Sequence, residues 1–219
     1  MAMQTPITRF TEVEAVNRIL STVGGEKVAA LSSLSFTADA AYNVLRDSMR
    51  DLMSHKWGFN TELDVVLTPN GSNEIDLSTS GYTGTYISCI DLEPEDSGNL
   101  DVIIKGTKLY DRKEHSYTVF TNDTYKATVS YYLQWEDLPE PVKSYVTAMA
   151  AKDFQAQMVG NPQMDAILTQ KFMHTRSGFF AFESEQLDYT MWDNYDTWKI
   201  VSTRGRPSIG GASWWGSRQ

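Results

Sequence analysis

The acidic side chains are the residues of this chain whose types and spacing come nearest to a reactive site. Four carboxylates, Asp91, Glu93, Glu95 and Asp96, lie in one short loop around a proline. Hard cations such as Ca²⁺ bind several carboxylate oxygens, so this loop could hold calcium. Its spacing is not that of an EF-hand loop, and the glycine of that motif is missing. We therefore interpret it as a solvated loop, with a metal site as the alternative.

Pairs of carboxylates could also support glycoside hydrolysis, which needs two of them about 5–10 Å apart, one with a raised pKa. An acidic chain offers such pairs by chance, and nothing in this sequence selects one of them. The pairs considered are Asp47 with Asp51, Glu183 with Glu185, and Asp137 with Glu140.

The histidines and the cysteine add no recognisable site. His55, His115 and His174 are far apart and lack the spacing of a zinc motif. Cys89 is the only cysteine, so no intrachain disulfide can form. It lies in a predicted strand without a nearby histidine, which favours an apolar structural role over a nucleophile. The sequence predicts no enzyme, no cofactor and no bound metal.

The charge and composition of the chain argue against two classes of protein, nucleic-acid clamps and membrane-spanning proteins. The chain has 219 residues, 41% of them hydrophobic and 21% charged, and a formal net charge of −9. This balance argues against a sequence-independent clamp on nucleic acid, which needs a basic face. It is compatible with a wall that DNA slides past without sticking. We expect no signal peptide, and no segment approaches the apolar length of a membrane span.

Two helices are predicted in the first part of the chain. Thr11 and Glu14 have the spacing of a capping box, so helix one should run from Thr11 to about Val23. Helix two should begin at an N-cap on Thr37 and run to Trp57, with Gly58 ending it.

Two more helices are predicted after a central block. Helix three should start at Pro139-Glu140-Pro141 and close at Gly160, and Asn161-Pro162 should open helix four. Ser177-Gly178 indicates a kink or break, after which the chain could stay helical to Leu187. The residues expected to point inward are Val142, Val146, Met149, Ala150, Phe154, Met164, Ile167, Leu168 and Phe172.

The central block has the composition of strands, rich in β-branched and aromatic residues and divided by turn signals. The predicted strands are 63–67, 86–90, 102–104, 108–110 and 126–133. The fold class is therefore α+β: a bundle of about four helices with an inserted small antiparallel β region and an extended C-terminal tail. We expect an N-terminal helical part at 1–58, the β region at 59–136, a C-terminal helical part at 137–188 and the tail at 189–219.

The tail contains four of the six tryptophans, Trp192, Trp198, Trp214 and Trp215, among few aliphatic residues. Such a segment cannot build a core alone, and tryptophan is a frequent interface anchor. We expect the tail to dock on a partner. It is also locally basic, through Lys199, Arg204, Arg206 and Arg218, so a nucleic-acid arm is the alternative to an acidic protein partner.

Several of these segments, taken in order, resemble one family. The stretches 12–24 and 54–62, with Trp57 and Asn60 in the second, resemble the opening of the tail tubular protein A family. Further matches follow in the predicted second helix, the central block and the third helix, so that the resemblance covers most of residues 12–170. The matching residues are Ala38-Asp39-Ala40-Ala41, Leu45, Phe59, Glu62, Tyr110-Asp111-Arg112, Pro139-Glu140, Ala150, Phe154, Gly160 and Pro162.

This resemblance implies a structural virion protein of a short-tailed phage. Proteins of this family are head-to-tail adaptors, which form a homo-dodecameric ring between the portal and the tail nozzle, tail tubular protein B. The genomic DNA would pass through the lumen without specific binding, and no membrane would be involved. The tail tryptophans would anchor the ring to the portal, and Tyr110 and Arg112 in the β region would make the lower or outer contacts.

Two other functions stay open at this point. The chain could be a tail-associated protein that binds or hydrolyses glycans, with aromatic side chains stacking on sugars and a carboxylate pair cleaving them. It could also be a plain globular domain that forms no ring.

Overall fold

The fold is α+β, as predicted: the described residues form four α-helices and five short strands, which are arranged in two small antiparallel sheets. A computed structural model describes residues 8–32, 34–78, 86–93, 98 and 100–186. The helices are α1 (Glu12–Ser21), α2 (Phe36–Met53), α3 (Glu140–Met158) and α4 (Pro162–Gln186). The strands are β1 (Thr61–Leu67), β2 (Ile87–Leu92), β3 (Val102–Lys105), β4 (Lys108–Asp111) and β5 (Tyr125–Tyr131).

The helices pack around α3, which contacts α1, α2 and α4. Their shared core contains Ile19, Leu45, Val146 and Phe154, all fully buried, and takes in Trp135 from the turn that precedes α3. Burial of these apolar side chains removes them from water and so stabilises the bundle. The short α1 has one apolar face, and that face is buried in this core. The predicted capping box of α1 is confirmed: Thr11 and Glu14 cap each other's backbone N–H groups.

The prediction for helix two was wrong at both ends. Its N-cap is Ser35 instead of Thr37, and the helix ends at Met53, before Trp57. The early end has a tertiary cause. The side-chain amide of Asn60 donates to the carbonyl oxygens of Met53 and His55, and the Trp57 indole donates to that of Leu52. These bonds satisfy the last carbonyls of α2, so no further helical turn is needed.

A kink or break was predicted at Ser177-Gly178; the break is wrong, since α4 is continuous from Pro162 to Gln186, and the helical continuation after Gly178 is confirmed as far as Gln186. Packing of Phe179 outweighs the helix cost of one glycine, about 1 kcal/mol. The cap at Asn161 is confirmed by its side chain, which accepts from the N–H groups of Gln163 and Met164. Ile167 was predicted to point inward but is 60% exposed, and Met149 is only half-buried.

The larger sheet has the strand order β1-β5-β2, with β5 antiparallel to both neighbours. β3 and β4 form a separate hairpin, in which Lys105 is opposite Lys108. Gly106, with a φ of +69°, is the first residue of its two-residue turn, a position that favours glycine. A second apolar cluster fills this region, around Leu67, Leu109, Phe120 and Tyr125.

The division into four segments stays a prediction, and its last segment, 189–219, lies outside the described residues. Of the helices in the described ranges, none combines the length and the apolar character that crossing a membrane requires.

Candidate functional site

The sequence Tyr110-Asp111-Arg112 lies at the end of β4. The carboxylate of its middle residue, Asp111, accepts hydrogen bonds from backbone amides around the following turn. Asp111 is fully buried. Its carboxylate accepts from the backbone N–H of Asp101 at 2.8 Å, of Glu114 at 2.9 Å and of Lys113 at 3.4 Å. Burial alone raises the pKa of Asp111, but the three amides outweigh it and hold the pKa below its ordinary value. Asp111 is therefore a structural carboxylate.

Tyr110 and Arg112, the two residues expected to contact a partner, are both engaged within the hairpin region. The Tyr110 ring meets that of Tyr117 at a centroid distance of 4.9 Å, and the Lys105 ammonium lies 4.1 Å from its centre. The Arg112 guanidinium is exposed and pairs with Asp101 at 2.6 Å. Their role in a partner contact stays a prediction.

A concave surface lies where α4 ends beside the larger sheet. This end cleft has a volume of about 740 Å³. Its apolar wall is formed by Trp57, Leu63 and Phe180, of which Leu63 is 71% exposed. Lys56 also lines the cleft, and its ammonium pairs with Asp91 of β2. The remaining lining residues are Gly58, Thr61, Thr128, Glu183, Ser184 and Gln186.

Glu183 is the buried carboxylate among the residues that line the end cleft. The side chain is only 4% exposed, and one carboxylate oxygen accepts from the N–H of Gly58. Among the described residues, the other oxygen has no hydrogen-bond partner. Burial raises the pKa of Glu183, against the opposing effect of the amides of Gly58 and Phe59. An unpaired oxygen on a buried carboxylate is costly unless a donor reaches it.

β1 presents a second candidate surface, an edge of the larger sheet. In the described part of the chain β1 pairs with β5 on one side only. Leu63 and Val66 point away from the core, 71% and 51% exposed. The pairing shifts between Glu62 and Val65, and Asp64 between them has a φ of +55°. An apolar edge strand of this kind is a site for association with another chain.

A comparison with protein-family models identifies the family of this chain. A model of the tail tubular protein family matches residues 13–189, most of the chain. The chain belongs to the tail tubular protein family. None of the curated proteins searched matches it. As a tail tubular protein it is a structural component of a phage tail, found in the virion tail together with other tail components.

The residues that carried the family resemblance are in large part structural in this tail tubular protein. Asn60 is 2% exposed and joins α2 to β5, since its amide also donates to the Tyr131 carbonyl at 3.3 Å. Trp57 packs edge-on against Phe179, with ring centroids 4.9 Å apart. Phe154 is fully buried in the helical core.

The predicted tail anchors Trp192, Trp198, Trp214 and Trp215 all lie outside the described residues, as do Glu95 and Asp96 of the acidic loop. Asp91 of that loop pairs with Lys56, and Glu93 accepts from the Thr128 hydroxyl at 2.9 Å. Within the described ranges, no three His, Cys, Asp or Glu residues are grouped so that they could hold a metal.

Members of the carboxylate pairs considered from the sequence differ in burial or are engaged in other contacts. Glu183 is buried and Glu185 is exposed, because residues two apart on a helix face different directions. Asp47 pairs with Arg50, and Glu140 accepts from the backbone N–H of Phe10.

The isolated histidine and cysteine positions also stay separate from any site. A ring nitrogen of His55 lies 3.3 Å from the carbonyl oxygen of Asp51, just beyond the end of α2. Cys89 is half-buried on β2.

The sequence analysis considered Glu183 only as one of several paired carboxylates and did not predict its burial, although a signal for it was present. Leu168, Phe172, Thr175 and Phe179 are spaced by three or four residues on α4, and Glu183 continues that stripe. An acidic residue on an apolar stripe is either buried with a partner or placed where a partner binds.

Proposed function

We propose that this tail tubular protein is the head-to-tail adaptor: a ring of identical copies, twelve in number, between the portal and the tail nozzle. It lengthens the DNA channel, helps to retain the packaged genome and gives the nozzle a platform. The action is mechanical, and no catalytic step is assigned to it. The resemblance of residues 12–170 to adaptor proteins supports this role.

The observation that carries the proposal is the open edge of β1. Leu63 and Val66 are apolar and exposed, and they lie on β1, whose outer side no described strand pairs with. A neighbouring copy that covers this edge with a different surface of its own makes a heterologous contact, and such a contact closes into a ring when its rotation allows. Burial of the two side chains would then favour assembly.

The charge of the chain suits a DNA channel. At −9 per copy, twelve copies carry on the order of −100 charges before counterions bind. An acidic lumen repels the phosphate backbone, so DNA passes without specific binding. We assign the portal contact to Trp192, Trp198, Trp214 and Trp215, and the lower or outer contact toward the nozzle to the hairpin region around Tyr110 and Arg112.

Native mass spectrometry tests the proposal directly. The pure protein is measured alone and after mixing with the portal protein from the same genome. We expect a ring, or a set of about twelve copies bound to the portal. A chain that stays monomeric and ignores the portal would refute the adaptor role.

A second candidate function, glycan binding or hydrolysis, is favoured by one observation. A cleft of about 470 Å³ is lined by Tyr42, Tyr86 and Tyr132 together with Glu12 and Glu136. Burial, followed by the nearby Glu136, raises the pKa of Glu12. A glycosidase requires such an asymmetric pair. Release of reducing sugars from host surface glycans, abolished by Glu12→Gln, would support hydrolysis. Neither release from, nor binding to, any glycan of the panel would count against this candidate.

A further inference from the structure

The polypeptide leaves α4 at the rim of the end cleft. Gln186, the last residue of the helix, is one of the cleft's lining residues. The following residues, 187–219, therefore start next to a concave apolar surface of about 740 Å³. A segment tethered there has an effective local concentration in the millimolar range, far above that of a separate chain.

The end cleft lacks a cation for its buried carboxylate. Glu183 forms no ion pair within the described residues, and one of its oxygens has no hydrogen-bond partner. Lys56, which lines the same cleft, pairs with Asp91. A buried carboxylate without a counter-ion is strongly unfavourable, so an incoming guanidinium or ammonium would gain both a charge-assisted hydrogen bond and the removal of that cost.

The walls of the cleft suit the stem of such a cation. Trp57 and Phe180 lie together, with ring centroids 6.0 Å apart, and the exposed Leu63 lines the same cleft. Arginine and lysine bury their methylene stems on apolar and aromatic surfaces while the charged head reaches a polar group. Arg176 already lies over the Phe180 ring at 5.3 Å, so that ring accepts a guanidinium in this structure.

The segment that begins at the cleft carries cations of this kind. Between Lys199 and Gln219 the chain has four basic residues, Lys199, Arg204, Arg206 and Arg218, and no acidic ones. Arg204 is 18 residues beyond Gln186. A chain of that length spans on the order of 25 Å, enough to return to the cleft.

We propose that the end cleft is the docking site for the basic stretch 199–206 of the same chain, with one of its cations paired to Glu183 and its stem between Trp57 and Phe180. The interaction is intramolecular, and it does not depend on the adaptor role. It places the base of the tryptophan-bearing tail against the body of the protein.

Hydrogen–deuterium exchange of the full-length chain, followed by mass spectrometry, tests this docking. At a concentration where native mass spectrometry shows a monomer, the amides of 199–206 should exchange more slowly than in Glu183→Gln. The expected difference is about tenfold, the equivalent of one charge-assisted hydrogen bond. Glutamine keeps an acceptor for the Gly58 N–H, removes the charge and replaces the second carboxylate oxygen with an NH2 group that cannot accept from a cation. Glu185→Gln, two residues away and exposed, is the matched control and should leave the exchange unchanged.

A second variant tests the same contact from the tail and leaves the body of the protein intact. Arg204→Glu combined with Arg206→Glu should speed exchange at Gly58 and Phe59, whereas Arg218→Glu should not. Equal exchange in the native chain and in Glu183→Gln would overturn the proposal. Protection of 199–206 that appears only as the concentration rises would also overturn it, because the occupant would then be a second copy.

Discussion

The side-chain amide of Asn60 donates a hydrogen bond to the backbone carbonyl of Tyr131, 3.3 Å away, and so joins the turn after α2 to the last residue of β5. The same amide also reaches Met53 and His55, and its oxygen accepts from the Trp57 N–H at 2.9 Å. One buried side chain thus satisfies backbone groups of the helical part and of the sheet. Asn60 therefore connects the helical part of the protein to the larger sheet.

Replacing Asn60 with alanine should therefore lower the free energy of unfolding by about 1–3 kcal/mol, because several buried backbone groups lose their partner. Urea denaturation monitored by circular dichroism measures the change. Asn43→Ala is the control, since the Asn43 amide donates to the Asp39 carboxylate on the exposed face of α2 and, among the described residues, joins no other element. A midpoint for Asn60→Ala equal to that of the native chain would show that the junction is dispensable.

Asp111 should make the protein sensitive to acid. Its pKa is lower in the folded than in the unfolded chain, so its stabilisation is fully present above the unfolded value of about 4. That stabilisation is lost as the pH falls through the folded pKa. Asp111→Asn should cost about 1–3 kcal/mol at pH 7, and the difference from the native chain should shrink toward pH 2.

Denaturation curves collected at a series of pH values would measure this effect, with Asp123→Asn in an exposed turn as the control. A difference between Asp111→Asn and the native chain that is the same at pH 7 and pH 2 would contradict the assignment.

Phe179 and its neighbour Phe180 offer a matched pair on α4. Phe179 is fully buried and stacks on Tyr145, with ring centroids 5.0 Å apart, whereas Phe180 is 43% exposed. Phe179→Ala should destabilise the fold by about 3–5 kcal/mol through the cavity it leaves, and Phe180→Ala by under about 1 kcal/mol. Thermal unfolding of the two variants would show the contrast; similar melting temperatures would mean that α4 does not pack as described.

The edge of β1 should control assembly more than folding. Leu63→Glu places a carboxylate on the proposed ring contact, where burial without a partner costs several kcal/mol. We expect this variant to keep its circular dichroism spectrum and to lose the ring in native mass spectrometry. Thr121→Glu adds the same charge at an exposed position elsewhere and should still assemble. A ring formed by Leu63→Glu would remove the β1 edge from the interface.

The tail tryptophans should act on portal binding alone. Changing Trp214 and Trp215 together to alanine should weaken attachment to the portal, because tryptophans are frequent anchors of interfaces. Circular dichroism should not change. Ser213→Ala with Ser217→Ala is the control within the same stretch. Full attachment of the double tryptophan variant, measured by co-sedimentation with the portal, would remove the anchor assignment.

The sequence by itself determined the features that depend on local rules. The capping box of Thr11 and Glu14, the cap at Asn161 and the five strands follow from side chains that act on backbone groups a few residues away, or from residue types that suit a pleated strand. The family was also readable, since its ordered residues lie along most of the chain.

Only the tertiary structure decided where long-range contacts override these rules. α2 ends four residues before the predicted end because the Asn60 amide bonds to carbonyl oxygens at its C-terminus. α4 continues past Gly178 because Phe179 is buried against the rest of the protein. The end cleft and the unpaired oxygen of Glu183 arise where α4 meets the turn after α2, more than 120 residues away along the chain. No local pattern encodes such a contact, because its energy depends on burial and charge that exist only once the segments have packed together.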